Sequence, residues 1–532
     1  MKSTILAQFL LVLLLCLYGE SAFAADYYVD AGKGNDAASG HSSDAAWRTL
    51  EALNRTVFKP GDRILLAAGS RYAGQLAPRG SGNKNAPILI DIFGGNQKAR
   101  IGNQKARIDG QGQVEAPLLL RNVEYWKVNN LELTNEDPAA GKRRYGVLIQ
   151  AENCGTMHGI HLSDLFIHDV HGSLKKNDRE EGFGILWENS GDRTQSRFDG
   201  LLIERCRLLR CDRSGIGGWS GHQDRRPGYW FPSLNVVIRK NLLEDIGGDC
   251  IKPEGCDGAL VEHNRVDRGR QRAKDAAAGI WPWASDNTVI QYNEVSGIKG
   301  TLDGQAFDSD DNCRNTLFQY NYSHDNDGGF ILICSVGKQT RDGQVTYIGL
   351  EDTTVRYNIS QNDGGGGTPP YERRPRIIHI AGPMRNTWIY NNAFFIRKDI
   401  STYFIHNTPY RGWAEDVHVM NNILIAQGEL KFDLGRNTHF EFMKNVFFGN
   451  HVNPPADAGA IAIDPLLMAG GSGGIGLDTL KGYQLQAGSA CIGAAIPIPG
   501  NGGRDFWGNP VRPDGPACIG AHEIAATHKT QR

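Results

Sequence analysis

The chain has 532 residues, with 57 Lys+Arg against 59 Asp+Glu and a formal net charge of −2 at pH 7. So even a balance gives no reason to expect a nucleic acid or an anionic membrane surface as partner. Glycine is abundant, at 66 residues, which favours many short strands and tight turns over long helices.

Residues 1–24 read as a secretory signal peptide. Lys2 supplies the charged start, Ile5 to Tyr18 is an apolar run, and Ala22-Phe23-Ala24 is a small-x-small cleavage site. The run is too short for a spanning helix. Leu15 stands before Cys16, where a lipid-attachment site needs a small residue. An exported protein, periplasmic or secreted and without a membrane span, is expected. Residues 25–115 should form an N-terminal cap and the first coils. A short strand is expected at Tyr27–Val29, and Trp47, Leu50 and Leu53 have helical spacing within 44–53. Residues 95–101 and 102–108 are identical, a duplication that lengthens a loop.

Residues 116–452 carry two interleaved repeats. One is a five-residue strand pattern: Gly184-Ile-Leu-Trp-Glu188, Gly215-Ile-Gly-Gly-Trp219, Cys250-Ile-Lys-Pro-Glu254, Gly279-Ile-Trp-Pro-Trp283 and Ala306-Phe-Asp-Ser-Asp310. If the copies stack as parallel strands, alternation sends the second and fourth residues inward and the third and fifth outward. The outer face then carries Glu188, Trp219, Lys252, Glu254, Trp281, Trp283, Asp308 and Asp310. The other repeat is an apolar stretch ending in asparagine, at Asn241, Asn264, Asn293, Asn321, Asn358, Asn392, Asn422 and Asn445, spaced 23 to 37 residues apart. Weaker turns of this kind begin at Asn130, Asp164 and Cys206. Such a period, made of short strands, is the signature of a solenoid, and without helical periodicity it predicts a parallel β-helix. The repeated Asn is expected to bond turn backbone and the Asn of the next coil, and to tolerate left-handed dihedrals. Residues 453–532 are expected to form C-terminal coils and a cap. Nine cysteines follow the signal; Cys491 and Cys518, in similar Cys-Ile-Gly contexts, are the pair most expected to bridge, with Cys206/Cys211 and Cys250/Cys256 left open.

The opening Tyr27-Tyr-Val-Asp30, Trp47-Arg-Thr-Leu50, Pro60-Gly-Asp62 and the ending Asp505-Phe-Trp-Gly-Asn-Pro510, Ile519-Gly-Ala521 resemble those of secreted right-handed parallel β-helix proteins. With the repeats, the resemblance to the pectin-lyase-like superfamily covers nearly the whole chain after the signal. It implies a fold and leaves the chemistry open, because hydrolases, lyases, epimerases and non-enzymes share it. Gly247-Gly-Asp-Cys-Ile-Lys252 is similar to the Asp-Asp-Cys-Ile motif of polygalacturonase-type glycoside hydrolases, with Gly248 in place of the first Asp. Phe307-Asp-Ser-Asp-Asp311 through Phe330 resembles a stretch of β-helix glycosidases, which implies catalytic aspartates near 308–310.

Glycoside hydrolysis needs one carboxylic acid to protonate the leaving oxygen and a second carboxylate as base or nucleophile. Alternate residues of a strand lie about 6.5–7 Å apart, so Asp308 and Asp310 are the expected acid/base pair, with Glu254 or Asp311 assisting. Trp281, Trp283 and Trp219 are expected sugar platforms, and Lys252, His324 and Glu188 further substrate contacts. The chain is expected to act on a polysaccharide or oligosaccharide as a monomer without cofactor. One alternative is a lyase with Lys252 as base and Ca²⁺ held by Asp308, Asp310 and Asp311. Another is a non-catalytic glycan-binding β-helix.

Overall fold

The computed structural model describes residues 24–95, 104–137, 143–176, 181–366, 374–436 and 438–524. Residues 1–23 of the expected signal peptide and most of the duplicated stretch lie outside them. The described residues form a parallel β-helix. Fourteen parallel strands stack in one sheet from Asp26–Val29 to Thr438–Met443, each coil adding one strand, while other faces of each coil build further parallel ladders. The inward positions of the strand pattern fill the core: Ile185, Ile216, Ile251, Ile280 and Phe307 all belong to one continuous apolar cluster. Trp187 is also inside, and Gly218 on the next coil makes room for it, since a Cβ there would come within 2.6 Å of the indole.

The asparagine repeat is a ladder. Asn241 donates its amide to Asn264 Oδ1 at 2.9 Å, Asn264 to Asn293 at 3.0 Å, and the relay continues through Asn321, Asn358, Asn392 and Asn422 to Asn445. Each amide also donates to a core-strand carbonyl, as Asn321 does to Ile290 at 2.8 Å. The left-handed residue is not the asparagine, as expected from the sequence, but the one before it: Lys240, His263, Tyr292, Tyr320, Tyr357, Asn391, Asn421 and Lys444 all have φ between 50° and 59°. The corner is turned one position early, which leaves the Asn side chain pointing inward to meet its neighbour. Asn130 and Asp164 occupy that left-handed position themselves, and Cys206 stands in the ladder column, its amide donating to Asn241 Oδ1.

The ends differ from expectation in detail. Helix forms over Leu50–Arg55, after a 3₁₀ turn at Ser43–Ala45. Between them Trp47 pairs as a strand residue with Val29 and sends its indole N–H to Ala38 O at 3.0 Å. Backbone pairing thus overrides its helical spacing. Beyond Ile461, which pairs with Val446, the C-terminal segment returns along the flank of the solenoid. Gly476 N donates to the Glu294 carboxylate, Arg356 to Gly500 O and Asn391 to Cys518 O, tying this segment to three different coils. All nine cysteines are free thiols, Cys491 and Cys518 included. The seven buried ones serve as small apolar fillers, while Cys154 and Cys334 are half-buried.

Candidate active site

The outward positions form two columns along one face. In the first, Gly217 lies beside Lys252, and Leu332, His379 and His406 follow in register beyond Asp308. In the second, Gln150, Glu188 and Trp219 are neighbours, Glu254 lies beside Trp283, and Cys334, Ala381 and Thr408 continue it. Glu254, Trp283 and Asp310 therefore stand on consecutive coils, as the repeat predicts.

Two cavities open on this face. One, of about 470 Å³, is lined by Glu188, Trp219, Lys252, Glu254, Trp281 and Asp310 among others; the second, of about 580 Å³, by Asp303, Asp310, Asp311, Arg376, His379 and Tyr410 among others. Asp310, Trp283 and Lys176 line both, so the Asp310 carboxyl stands where the two meet.

The carboxylates around this junction differ sharply. Burial pushes Asp310 up to about 7, with Asp311 and Asp303 adding like charge. Asp308 is 3% exposed and lines neither cavity; its Oδ1 meets no hydrogen-bond partner among the described residues. Burial first, then Asp310 and Asp303, hold it well above the usual carboxylate range. Asp308 therefore stands behind the cavity wall, where its surroundings favour the protonated form. Asp303, which the five-residue pattern does not reach, also lines the second cavity, with Asp310 and Asp311. It sits in a left-handed turn with φ of 60°, just ahead of the acidic strand, so alternation could not have found it. Asp311 accepts from Ser335 Oγ at 3.1 Å, and burial raises it also.

The first cavity is a network of anchored groups. Glu254 accepts from Lys252 at 2.8 Å, from Ser220 N at 3.1 Å and from Gln223. Gln223 in turn accepts from the Trp283 indole at 3.1 Å. It comes from the 221–233 insertion, whose Tyr229 and Trp230 stack instead on Arg226 and Arg225, away from the cleft. Glu188 is gripped by Arg143 through two bonds of 3.0 and 2.9 Å. Trp219 packs edge-on to Phe183 and Tyr145. Trp281 is 3% exposed, with Lys176 over its ring at 4.6 Å. Only an edge of that indole is left for a sugar, whereas Trp283 is the more open ring.

Three expected roles meet a different geometry. His324 lies on another face, between Glu294 at 3.2 Å and Asp325 at 2.9 Å, where Glu294 also holds Gly476 of the returning tail. Lys252 is unsuited to be a lyase base. Burial works against its ammonium, but Glu254 and Glu181 outweigh it, and its pKa stands above the ordinary lysine value. Asp249 of the Asp-Cys-Ile segment is 2% exposed, bonded by Arg213 at 2.9 Å and by the Trp281 indole at 3.0 Å, and lines neither cavity. It is structural here. The trio Asp308, Asp310 and Asp311 does not converge either, because Asp308 is shut behind the wall and Asp311 is taken up by Ser335. These residues do not fit a calcium ion, and among the described residues no group of three or more His, Cys, Asp or Glu side chains is arranged to hold a metal. No helix among them is long and apolar enough to cross a membrane.

Comparison with known proteins points in one direction. No family model matches the chain. A lacto-N-biosidase of Bifidobacterium longum is 29% identical over 602 aligned positions, covering 92% of this chain and 36% of that protein. The chain thus spans about a third of that relative's length. The crystal structure of a GH136 lacto-N-biosidase from Eubacterium ramulus superposes with a TM-score of 0.58 and 27% identity, over 74% of this chain and 68% of that one. A shorter match, 33% identical over 69 residues, is to α-1,3-galactosidase A of Akkermansia muciniphila, covering 13% of this chain and 11% of that one. The fold is the right-handed parallel β-helix that the repeats predict.

Proposed function

We propose that this chain is a glycoside hydrolase that cleaves an oligosaccharide at the junction marked by Asp310, with Asp303 as the second carboxyl. The observation that carries the reading is Asp310 itself: one carboxyl shared by two sugar-sized cavities, raised to about 7. Two carboxyls facing one cavity and repelling each other hold one proton between them near neutrality. One can then protonate the leaving oxygen while the other acts as base or nucleophile, the division that glycoside hydrolysis requires. Trp283 at the junction and Trp219 further along offer apolar faces against which sugar rings stack. The likeness to lacto-N-biosidases over most of the chain supports the reading and makes an oligosaccharide ending in lacto-N-biose the first substrate to try.

The apolar run and Ala22-Phe-Ala24 support export to the periplasm or beyond, and the protein is read as acting as a monomer without cofactor. The test is product mass from the full chain incubated with oligosaccharides that end in lacto-N-biose, beside a panel of neutral and uronic glycans. Products carrying one added water are expected. Unsaturated products, or binding without turnover, would overturn the reading.

A further inference from the structure

Lys176 took no part in the strand pattern, yet it is one of three residues common to both cavities. It comes from the turn after the Phe166–Val170 strand, several coils from Asp310 in sequence. Four contacts hold it. Its backbone N donates to Asp275 Oδ2 at 3.0 Å, and its ammonium donates to Ala276 O at 3.3 Å. The ammonium also lies 3.8 Å from the buried Asp249 carboxylate and 4.6 Å from the centre of the Trp281 ring. Asp249 is itself fixed by Arg213 at 2.9 Å, by Ala278 N at 3.0 Å and by the Trp281 indole at 3.0 Å. One buried carboxylate thereby sets both the lysine and the tryptophan that form this wall.

Resting on the hydrolase reading, we infer that Lys176 is a positioning residue for the reaction: anchored by Asp249 and Trp281, it is the cation that holds one member of the Asp303/Asp310 pair as carboxylate while the other keeps its proton. The surroundings of Asp310 demand such a charge. Asp303 and Asp308 on its own coil and Asp311 beside it are all acidic. Glu254 two coils back is neutralised by Lys252 at 2.8 Å, which ties up that ammonium. On the far wall stand Arg374, Arg376, His379 and His406, and the thiol of Cys334, which burial raises further. Of these cations Lys176 alone lines both cavities. It pulls down the carboxyls of both Asp308 and Asp310.

Lys176→Met keeps the stem over Trp281 and removes the charge. The acid limb of kcat/KM should then move up by about one pH unit, since a neighbouring opposite charge lowers a carboxyl by one to three units. Activity at pH 5 should fall roughly tenfold and at pH 8 far less, while Lys176→Arg restores the limb. Thermal melting of each variant separates this from misfolding. An acid limb that overlays the wild type, or a rise in KM alone that is the same at every pH, would overturn the inference while leaving the hydrolase reading intact. Infrared titration of the carboxyl C=O band in substrate-free protein, assigned with Asp310→Asn, reads the same shift without turnover. An unmoved band in Lys176→Met would sink the inference even if the wild type hydrolysed nothing.

Discussion

Two polar columns run along this solenoid, and they are built to opposite ends. In the asparagine column every amide from Asn241 to Asn422 donates both to the next coil and to a core carbonyl, and its oxygen accepts from the coil before. In the acidic column Asp308 has an oxygen with no partner, and Asp310 faces two cavities at a pKa near 7. The same coils supply both. Where the buried polar groups are all paired the column stabilises. Where they are left short of partners the protein carries a cost that only a function explains.

The largest effect should come from the acidic column and the turn just ahead of it. Asp310→Asn and Asp303→Asn are each expected to lower kcat by about a thousandfold, the middle of the range for general acid–base groups. The melting temperature should hold or rise, because each change removes like charge from a crowded acidic site. Steady-state kinetics beside a thermal melt checks this. A variant that loses stability in proportion to activity would make that column structural after all.

The paired column should give the reverse. Asn321→Ala removes an amide that bonds Ile290 O and Asn358 and an oxygen that serves Asn293. Leaving these buried groups unmet should cost roughly 3 kcal/mol, at about 1–3 kcal/mol per orphaned group. Urea unfolding would show it, with kcat per folded molecule unchanged.

How much of this was readable beforehand follows from periodicity. The strand pattern and the Asn repeat are both periodic, so the coils, the inward Ile and Phe residues and the stacking of Glu254, Trp283 and Asp310 were legible. Alternation fixes a side but not a depth. Asp308 and Asp310 share a side, yet only Asp310 reaches the cavities, because Trp281 and Leu332 on flanking coils close over the inner position. Asp303, Lys176 and Gln223 come from turns and insertions whose course no repeat dictates. His324 was misplaced for a related reason: it belongs to the strand Tyr322–His324 of another face, and its sequence neighbourhood of acids looked like that of the cleft.

His324 is paired too, outside the asparagine column, through the Glu294 that also holds the returning tail, and pH can test it. Burial disfavours its charge, but Asp325 and Glu294 outweigh that and raise it to about 9. A raised histidine stabilises fully below its unfolded pKa of about 6.5 and loses that contribution as pH rises through the folded value. Stability should therefore decline between about pH 6.5 and 9, by about 3 kcal/mol if this group acts alone. His324→Gln should flatten that part of the profile, and a slope unchanged in the variant would assign it elsewhere.

The smallest effect separates the two aspartates of the acidic strand. Burial and its acidic neighbours favour the protonated form of Asp308, and Asp308→Asn puts an uncharged group of nearly the same shape in its place. Hydrolysis should stay within about tenfold of the wild type, far from the loss on Asp310→Asn, since no charge that faces substrate is removed. The pH optimum should drift slightly downward, because a carboxyl that ionises at high pH no longer repels Asp310. Were Asp308→Asn as inactive as Asp310→Asn, the inner carboxyl would have to reach the substrate. The cavity wall formed by Trp281 and Leu332 would then have to open during turnover, and the difference between the two columns would lie in motion as much as in unpaired oxygens.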